Sequence, residues 1–196
     1  MRIRLAVESD LNEIMRLEQS GFPYNAENSD TFVTRMRTFS VGFLVMEEDC
    51  SDDLKRSVPA TSTNSMHLIG YLCSEIWNST QNWSPNNFLM NHNASALHTI
   101  DGNELYISSM TVDSNWRGKG LARMLFRTAI DEIFRQHPKL TSIILIVNEI
   151  WTYAKNIYVS EGFCSVGQID GFFSAGGQAQ AAIVMRRTGR VLTNAA

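Results

Sequence analysis

The chain reads as an α/β protein built on one mixed sheet. Three observations predict this. Strand-type and helix-type patterns alternate along its 196 residues, a length that suits one domain with a real core. The run Ser142-Ile143-Ile144-Leu145-Ile146-Val147 is apolar almost throughout, as a strand buried on both faces must be. A glycine-rich turn, Trp116-Arg117-Gly118-Lys119-Gly120-Leu121-Ala122, joins a strand pattern to a helix pattern.

Taken in order, Ile3 to Val7 reads as a short strand. Ser9-Asp10 supplies a cap, with Asp10 and Glu13 spaced as in a capping box. Leu11, Ile14 and Leu17 then make one apolar stripe, so Leu11 to Gln19 is helix, ended by Gly21-Phe22-Pro23. Asn28-Ser29 caps a second helix that turns Phe32, Val33 and Met36 inward. Phe39 to Met46 and Leu68 to Trp77 read as paired strands. The residues between them, about 47–67, are acidic, then rich in Ser and Thr, and predict a long hairpin loop. A second polar segment, about 78–103, is rich in Asn and Ser. Neither insertion has the apolar content for its own core, so 1–196 is expected to be a single domain.

Leu105 to Val112 is the next strand. After the glycine turn, Ala122, Leu125, Phe126, Ala129, Ile130 and Ile133 recur at helical spacing up to Gln136, and His137-Pro138 stops the helix. The apolar strand at 142–147 follows. A short helix then carries Ala154, Ile157 and Tyr158, with Gly162 as a left-handed cap. Cys164 to Ile169 and Ala181 to Arg186 form a closing pair of strands.

Composition narrows the function classes. Apolar residues make up 44% and charged residues 19%, which is globular rather than disordered. A formal charge of -3 argues against nucleic acid as a partner. Cys50, Cys73 and Cys164 are odd in number and far apart, without zinc spacing, so no metal is expected and a reducing, cytoplasmic location is. The first residues meet Glu8 and Asp10 before any long apolar run, unlike a signal peptide, and no run approaches membrane-spanning length.

The glycine turn carries the chemistry. Glycines let the backbone approach a ligand closely, and the unpaired amides of a turn and helix start point outward at phosphate oxygens. Arg117 and Lys119 add positive charge. The turn fits neither G-x-x-x-x-G-K-[ST] nor G-x-G-x-x-G, so spacing alone leaves a phosphate cradle and a plain connection both open.

Arg117-x-x-Gly120-x-Ala122 resembles the R/Q-x-x-G-x-G/A signature of the GNAT N-acetyltransferase superfamily. Ala154-x-x-x-Tyr158-x-x-x-Gly162-Phe163 resembles a second segment of that family, and the element order matches over most of the chain. The resemblance implies a mostly antiparallel sheet of about seven strands, splayed at the fourth and fifth, with about four flanking helices. It implies acetyl-CoA as co-substrate, a primary amine as acceptor, and direct attack on the thioester. Amides of Arg117, Gly118, Lys119, Gly120, Leu121 and Ala122 would bind the pyrophosphate. The Met110 amide would clamp the thioester carbonyl, with Thr111 and Val112 along the pantetheine arm. Family members often carry Asn three residues before the Ala matched by Ala154. Here Trp151 stands there, and Asn148 lies earlier as the candidate contact.

Within the superfamily the chain is most similar to arylalkylamine (serotonin-type) N-acetyltransferases and their fungal relatives. Glu18-x-x-x-Phe22, Phe39-Ser40-Val41-Gly42-Phe43, Ile69-Gly70-Tyr71-Leu72 and His98-x-x-x-Gly102 carry that likeness. Tyr158 is the expected acid toward the CoA thiolate. The vertebrate enzymes' paired histidines are replaced by Tyr106 and Ser108, which strand alternation puts on the same face as Met110. Neither is a good base at neutral pH, so Ser108 is expected to order a water that relays the proton to Glu18 or His98. Phe22, Pro23, Tyr24, Tyr106 and Phe172 are candidates for an aromatic amine pocket. The expected assembly is a monomer or weak dimer that binds a small amine, without nucleic acid or membrane. Polyamine or protein N-terminal and lysine acetylation, and a non-catalytic CoA-binding regulatory domain, are the competing readings.

Overall fold

A computed structural model describes residues 1–48, 67–79 and 83–189. The chain forms β1 (Arg2–Leu5), α1 (Leu11–Gly21), α2 (Ser29–Thr38), β2 (Phe43–Glu47), β3 (Leu68–Trp77), α3 (Ala94–Leu97), β4 (Glu104–Val112), α4 (Leu121–Gln136), β5 (Ser142–Asn148), α5 (Thr152–Ser160), β6 (Cys164–Ala175) and β7 (Gln178–Thr188). The strands make one 7-stranded sheet in the order β1-β2-β3-β4-β5-β7-β6. Every neighbouring pair is antiparallel except β4 with β5. This is the expected single-domain α/β architecture, with the four-residue α3 as an additional helix.

Each sheet face has its own core. On one face α4 lays Leu125, Phe126, Ala129, Ile130 and Ile133 against Leu105, Ile107, Ile143, Leu145 and Met185. Its helical period puts those side chains on one stripe, so the strand residues of alternate parity meet them. On the other face Ile14 and Leu17 of α1 and Phe32 and Met36 of α2 cover Val45, Tyr71 and Cys73. Farther along that face Trp77, Phe88, Tyr106, Ile144 and Val184 form a third cluster.

Two features of β4 build the site. Its parallel pairing with β5 runs only from Glu104↔Ser142 to Ile107↔Leu145. Beyond that point the strands part, and the edge of Ser108–Val112 has no strand beside it. The register with β3 also shifts, from Cys73↔Ser109 to Ser74↔Ile107, which leaves Ser108 as an extra, bulged residue. The bulge overturns the expectation that Tyr106 and Ser108 share a face with Met110. Met110 packs on the α4 side, whereas Tyr106 lies in the opposite cluster. One inserted residue reverses the parity of everything before it.

Other boundaries moved for local reasons. Ser40–Gly42 is a 3₁₀ turn, and strand β2 starts only at Phe43. The Phe39 ring folds over Gly42 so closely that a Cβ there would lie 2.1 Å from Phe39 Cδ1. β6 runs through Phe172-Phe173, so these aromatics stand on a strand rather than a loop. The polar segment after β3 is more structured than its composition predicts. Pro85–Phe88 makes a 3₁₀ turn capped by Ser84, and Phe88 is only 2% exposed. Most of the expected 47–67 loop lies outside the described residues.

Candidate active site

The parting of β4 and β5 opens a cleft of about 440 Å³ that runs between the two faces of the sheet. Glu18, Phe22, Tyr106, Ser108, Met110, Thr111, Val112, Arg117, Ala122, Ala154, Tyr158 and Phe172 all line it. The fold therefore gathers into one cavity residues that the sequence spreads from position 18 to position 172.

On the α4 side, Asp113 receives Arg16 Nη1 at 2.8 Å and the Asn115 amide at 3.0 Å, and so fixes the exit of β4 into the glycine turn. Gly118 and Gly120 have φ of +76° and +78°, a left-handed backbone that favours glycine. Neither would bring a Cβ within 4 Å of any other atom, so the turn faces open space. Gly120 caps α4 and offers no side chain to its first amides, which stay available to an anion. Leu121 is buried in the core and anchors the helix start. Arg117 is exposed but its Nε donates to the Val112 carbonyl at 3.0 Å, and Lys119 Nζ sits 4.3 Å above the Trp116 ring. The backbone thus supplies the cradle, while these cations supply charge beside it. The free edge of β4, the turn and the start of α4 form one continuous run of groups that fits an extended arm ending in phosphates.

Tyr158 closes this side. It is 9% exposed, and burial pushes its phenol up to about 12, so it is protonated at neutral pH. Phe126 and Phe163 meet its ring edge-on at 6.0 and 5.7 Å and fix its direction.

On the α1–α2 side the central group is Glu18, 1% exposed. Burial is the largest influence on it and pushes its carboxyl up to about 7. The Tyr71 hydroxyl and the Glu27 amide pull it back, the charge of Glu27 pushes it up and the charge of Arg35 lowers it. Tyr71 donates to Oε2, the Glu27 amide to Oε1 at 2.9 Å and Ser109 Oγ to Oε2 at 3.4 Å. All three partners are neutral. Glu27 also lines the cleft, but Arg35 binds both its oxygens. The two carboxylates therefore differ in kind: one is charge-paired, and one can exchange a proton near neutral pH.

The sequence profile of the Acetyltransferase (GNAT) family matches residues 11–163. The chain belongs to this family. Solved structures agree on the fold. The ribosomal-protein-S18-alanine N-acetyltransferase from Escherichia coli is similar over 100% of this chain and 97% of its own, at TM-score 0.66 and 15% identity. Arabidopsis thaliana NAA60, in complex with a bisubstrate analogue, is similar over 95% and 97%, at 0.67 and 18%. GphF, a GNAT-like decarboxylase in complex with isobutyryl-CoA, is similar over 97% and 100%, at 0.70 and 15%. No curated protein sequence matches this chain. No helix among the described residues is long and apolar enough to cross a membrane, and they contain no metal-binding group of His, Cys, Asp or Glu.

Within the GNAT cleft some expected residues are elsewhere. His98 is not at the cleft wall: its Nδ1 accepts from the Ile76 amide at 3.1 Å and its ring lies 4.9 Å from Phe39. Burial pushes it toward the neutral form. Asn148 ends β5 outside the cleft lining, with Nδ2 donating to Gln180 Oε1 at 2.6 Å and Oδ1 accepting from the Ile150 amide at 3.1 Å. Pro23 and Tyr24 are exposed and outside the lining. Ser108 donates to the Cys73 carbonyl at 3.1 Å, so its hydroxyl is held by the bulge. Tyr106, expected in the pocket, does line the cleft and is stacked on Trp77 at 4.0 Å.

Several lining residues were not foreseen. Ser109 reaches Glu18 only because of the bulge, which has no sequence signature. Trp151 bridges Phe22 at 5.4 Å and Phe173 at 5.6 Å. Its break with the GNAT Asn was the available signal. Phe88 and Met90 come from the segment read as polar filler.

The cradle makes a direct prediction. Gly120→Asp forces a side chain into the left-handed region and puts a carboxylate where the phosphates would lie. CoA affinity measured by calorimetry should fall at least ~10-fold, about 1.4 kcal/mol. A folded variant with unchanged affinity would remove the cradle assignment.

Proposed function

We propose that this GNAT protein transfers the acetyl group of acetyl-CoA to a primary amine, with Glu18 as general base and Tyr158 as acid. The observation that carries this reading is the state of Glu18. An alkyl amine with a pKa near ~10.4 is mostly protonated at pH 7, and freeing it costs about 4–5 kcal/mol. A carboxyl at its ordinary 4.5 is a weak base for that task, and one lifted to about 7 is matched to it.

The amine nitrogen attacks the thioester carbonyl carbon, and its proton passes to Glu18, directly or through Ser109 or a water. The edge amide at Met110 faces the developing oxyanion. The C–S bond then breaks, and the thiolate takes the Tyr158 proton. Burial raises the phenol, so Tyr158 keeps its proton until the thiolate forms beside it. An acetylated cysteine is not needed. Cys73 is fully buried and pushed up to about 12, a poor nucleophile, and Cys164 is an exposed residue that does not line the cleft.

For the acceptor we favour an arylalkylamine. Phe22, Tyr106, Phe172 and Phe173 offer ring faces and edges to a flat substituent, worth roughly 0.5–1.5 kcal/mol per pair beyond buried area. A polyamine would need a row of free carboxylates, and of Glu18 and Glu27 the second is held by Arg35. We further propose that the protein works as a monomer or weak dimer in the cytoplasm.

Three measurements test this. Only ionised Glu18 accepts a proton, so kcat/KM should climb as pH rises through about 7. In Glu18→Gln that step should vanish and the rate drop ~10²-fold. A step that survives in Glu18→Gln assigns the base elsewhere.

Tyr158→Phe keeps the ring and removes the donor. Its kcat should drop ~10²-fold with CoA affinity little changed. Equal kcat across the neutral range would return Tyr158 to the core.

Thiol release with a panel of amines should rank phenethylamine and tryptamine above spermidine and above a peptide N-terminus. Spermidine or the peptide in first place overturns the acceptor class, and release with none of them supports a non-catalytic CoA-binding domain.

A further inference from the structure

The sheet and its long helices do not complete the cleft. The short stretch 88–92, between β3 and β4, also reaches it, through Phe88 and Met90. Resting on the amine-transfer reading above, we propose that this stretch is the end wall of the acceptor chamber and that Met90 sets the size of amine admitted, selecting compact primary arylalkylamines with a short arm.

A wall can act as a gauge only if its backbone is fixed, and here it is fixed on both sides of Met90. Before it, the Phe88 ring is 2% exposed and meets Tyr106 edge-on at 5.5 Å. After it, the Asn91 amide donates to Glu27 Oε1 at 3.0 Å. The Asn91 side-chain oxygen accepts from the Asn28 amide at 2.9 Å and from Thr31 Oγ1 at 3.1 Å. His92 Nε2 then lies 2.8 Å from Glu75 Oε1. Asn91 has φ of 56°, the one positive value outside glycine among the described residues. A conformation this sparsely populated persists where surrounding bonds over-determine it, and such positions cluster at ligand clamps.

The opposite side is tied as well. Asn25 Nδ2 donates to the Ser174 carbonyl at 2.9 Å, and the Ser174 amide donates to Asn25 Oδ1 at 3.0 Å. This reciprocal pair ties the α1–α2 loop to β6 beside Phe22, Trp151 and Phe173. The cleft of about 440 Å³ is shared between the thioester end and the acceptor. Between rigid neighbours Met90 is the compliant piece: an unbranched side chain that fills what a ligand leaves.

The test uses the full chain, Met90→Ala and Met90→Trp, with phenethylamine and the longer 4-phenylbutylamine. Thiol release gives kcat/KM, and calorimetry gives the affinity for CoA and for each amine on the CoA-loaded protein. Met90→Ala should raise kcat/KM for the longer amine relative to the shorter by at least ~10-fold. Met90→Trp should lower both the kcat/KM and the affinity for phenethylamine by at least ~10-fold. CoA affinity should stay unchanged in both, which also reports that the variants fold. Amine ratios and affinities that match the unmodified protein in both variants overturn the proposal. If no amine is acetylated but amine affinity still follows the Met90 series, the transfer reading falls and the wall stands.

Discussion

Everything in this molecule depends on where two parallel strands stop pairing. β4 and β5 share a ladder only to Ile107↔Leu145. Past that point β4 presents an edge inside the fold, which elsewhere would be a liability. The gap stays open because each strand is held from its other side: β4 by β3 up to Gly70↔Val112, and β5 by β7 up to Asn148↔Ala182. α4 pins both strands below the gap through Ile107 and Leu145. Asn148 stops β5 by turning its side chain to Gln180 and to the Ile150 amide. Asn148 thus ends the strand, and the gap it helps define is the candidate cleft.

The same gap separates two kinds of carboxylate. Behind the cleft Arg35, 1% exposed, joins Glu27 and Glu75, and His92 and the Trp77 indole complete the shell around Glu75. A buried ion group of this kind contributes little net stability but fixes geometry. Arg35 bonds Glu27 and Glu75 and reaches Glu18 only through its charge, so the hydrogen-bond partners of Glu18 are all neutral. Desolvation then dominates at Glu18 and lifts it to about 7, while His92 and Arg35 keep Glu75 below its ordinary range. Glu27 and Glu75 differ from Glu18 in that Arg35 hydrogen-bonds them and not it.

The sequence and the structure agree best where side-chain period or backbone freedom decides. The α4 stripe, the apolar β5 and the left-handed cap at Gly162 each follow from local chemistry and were legible. They disagree where one residue or one long-range contact decides. The bulge at Ser108 inverts the face of Tyr106 and brings Ser109 to Glu18, and no local preference announces it. His98 was a plausible base by type, yet the Ile76 amide and the Phe39 ring claim it. The stretch after Trp77 looked like filler because its few apolar residues are scattered. Phe88 needed no neighbours of its own, since Trp77 and Tyr106 already offered a surface.

This contrast follows the division of labour within the cleft. The half suited to CoA is made largely of backbone: a strand edge, a glycine turn and a helix start, contiguous from Ser108 to Ala122. Such a site can be read from a short motif, because the motif is the site. The half suited to the acceptor is made of side chains from α1, the α1–α2 loop, the stretch after β3 and β6. Its members are brought together by contacts such as Asn25 with Ser174 and Asn91 with Glu27, which link positions far apart in the chain. Family membership therefore follows from the contiguous half, whereas acceptor choice is carried by the dispersed half. The acceptor is correspondingly the part of the function that only the assembled fold brings within reach of argument.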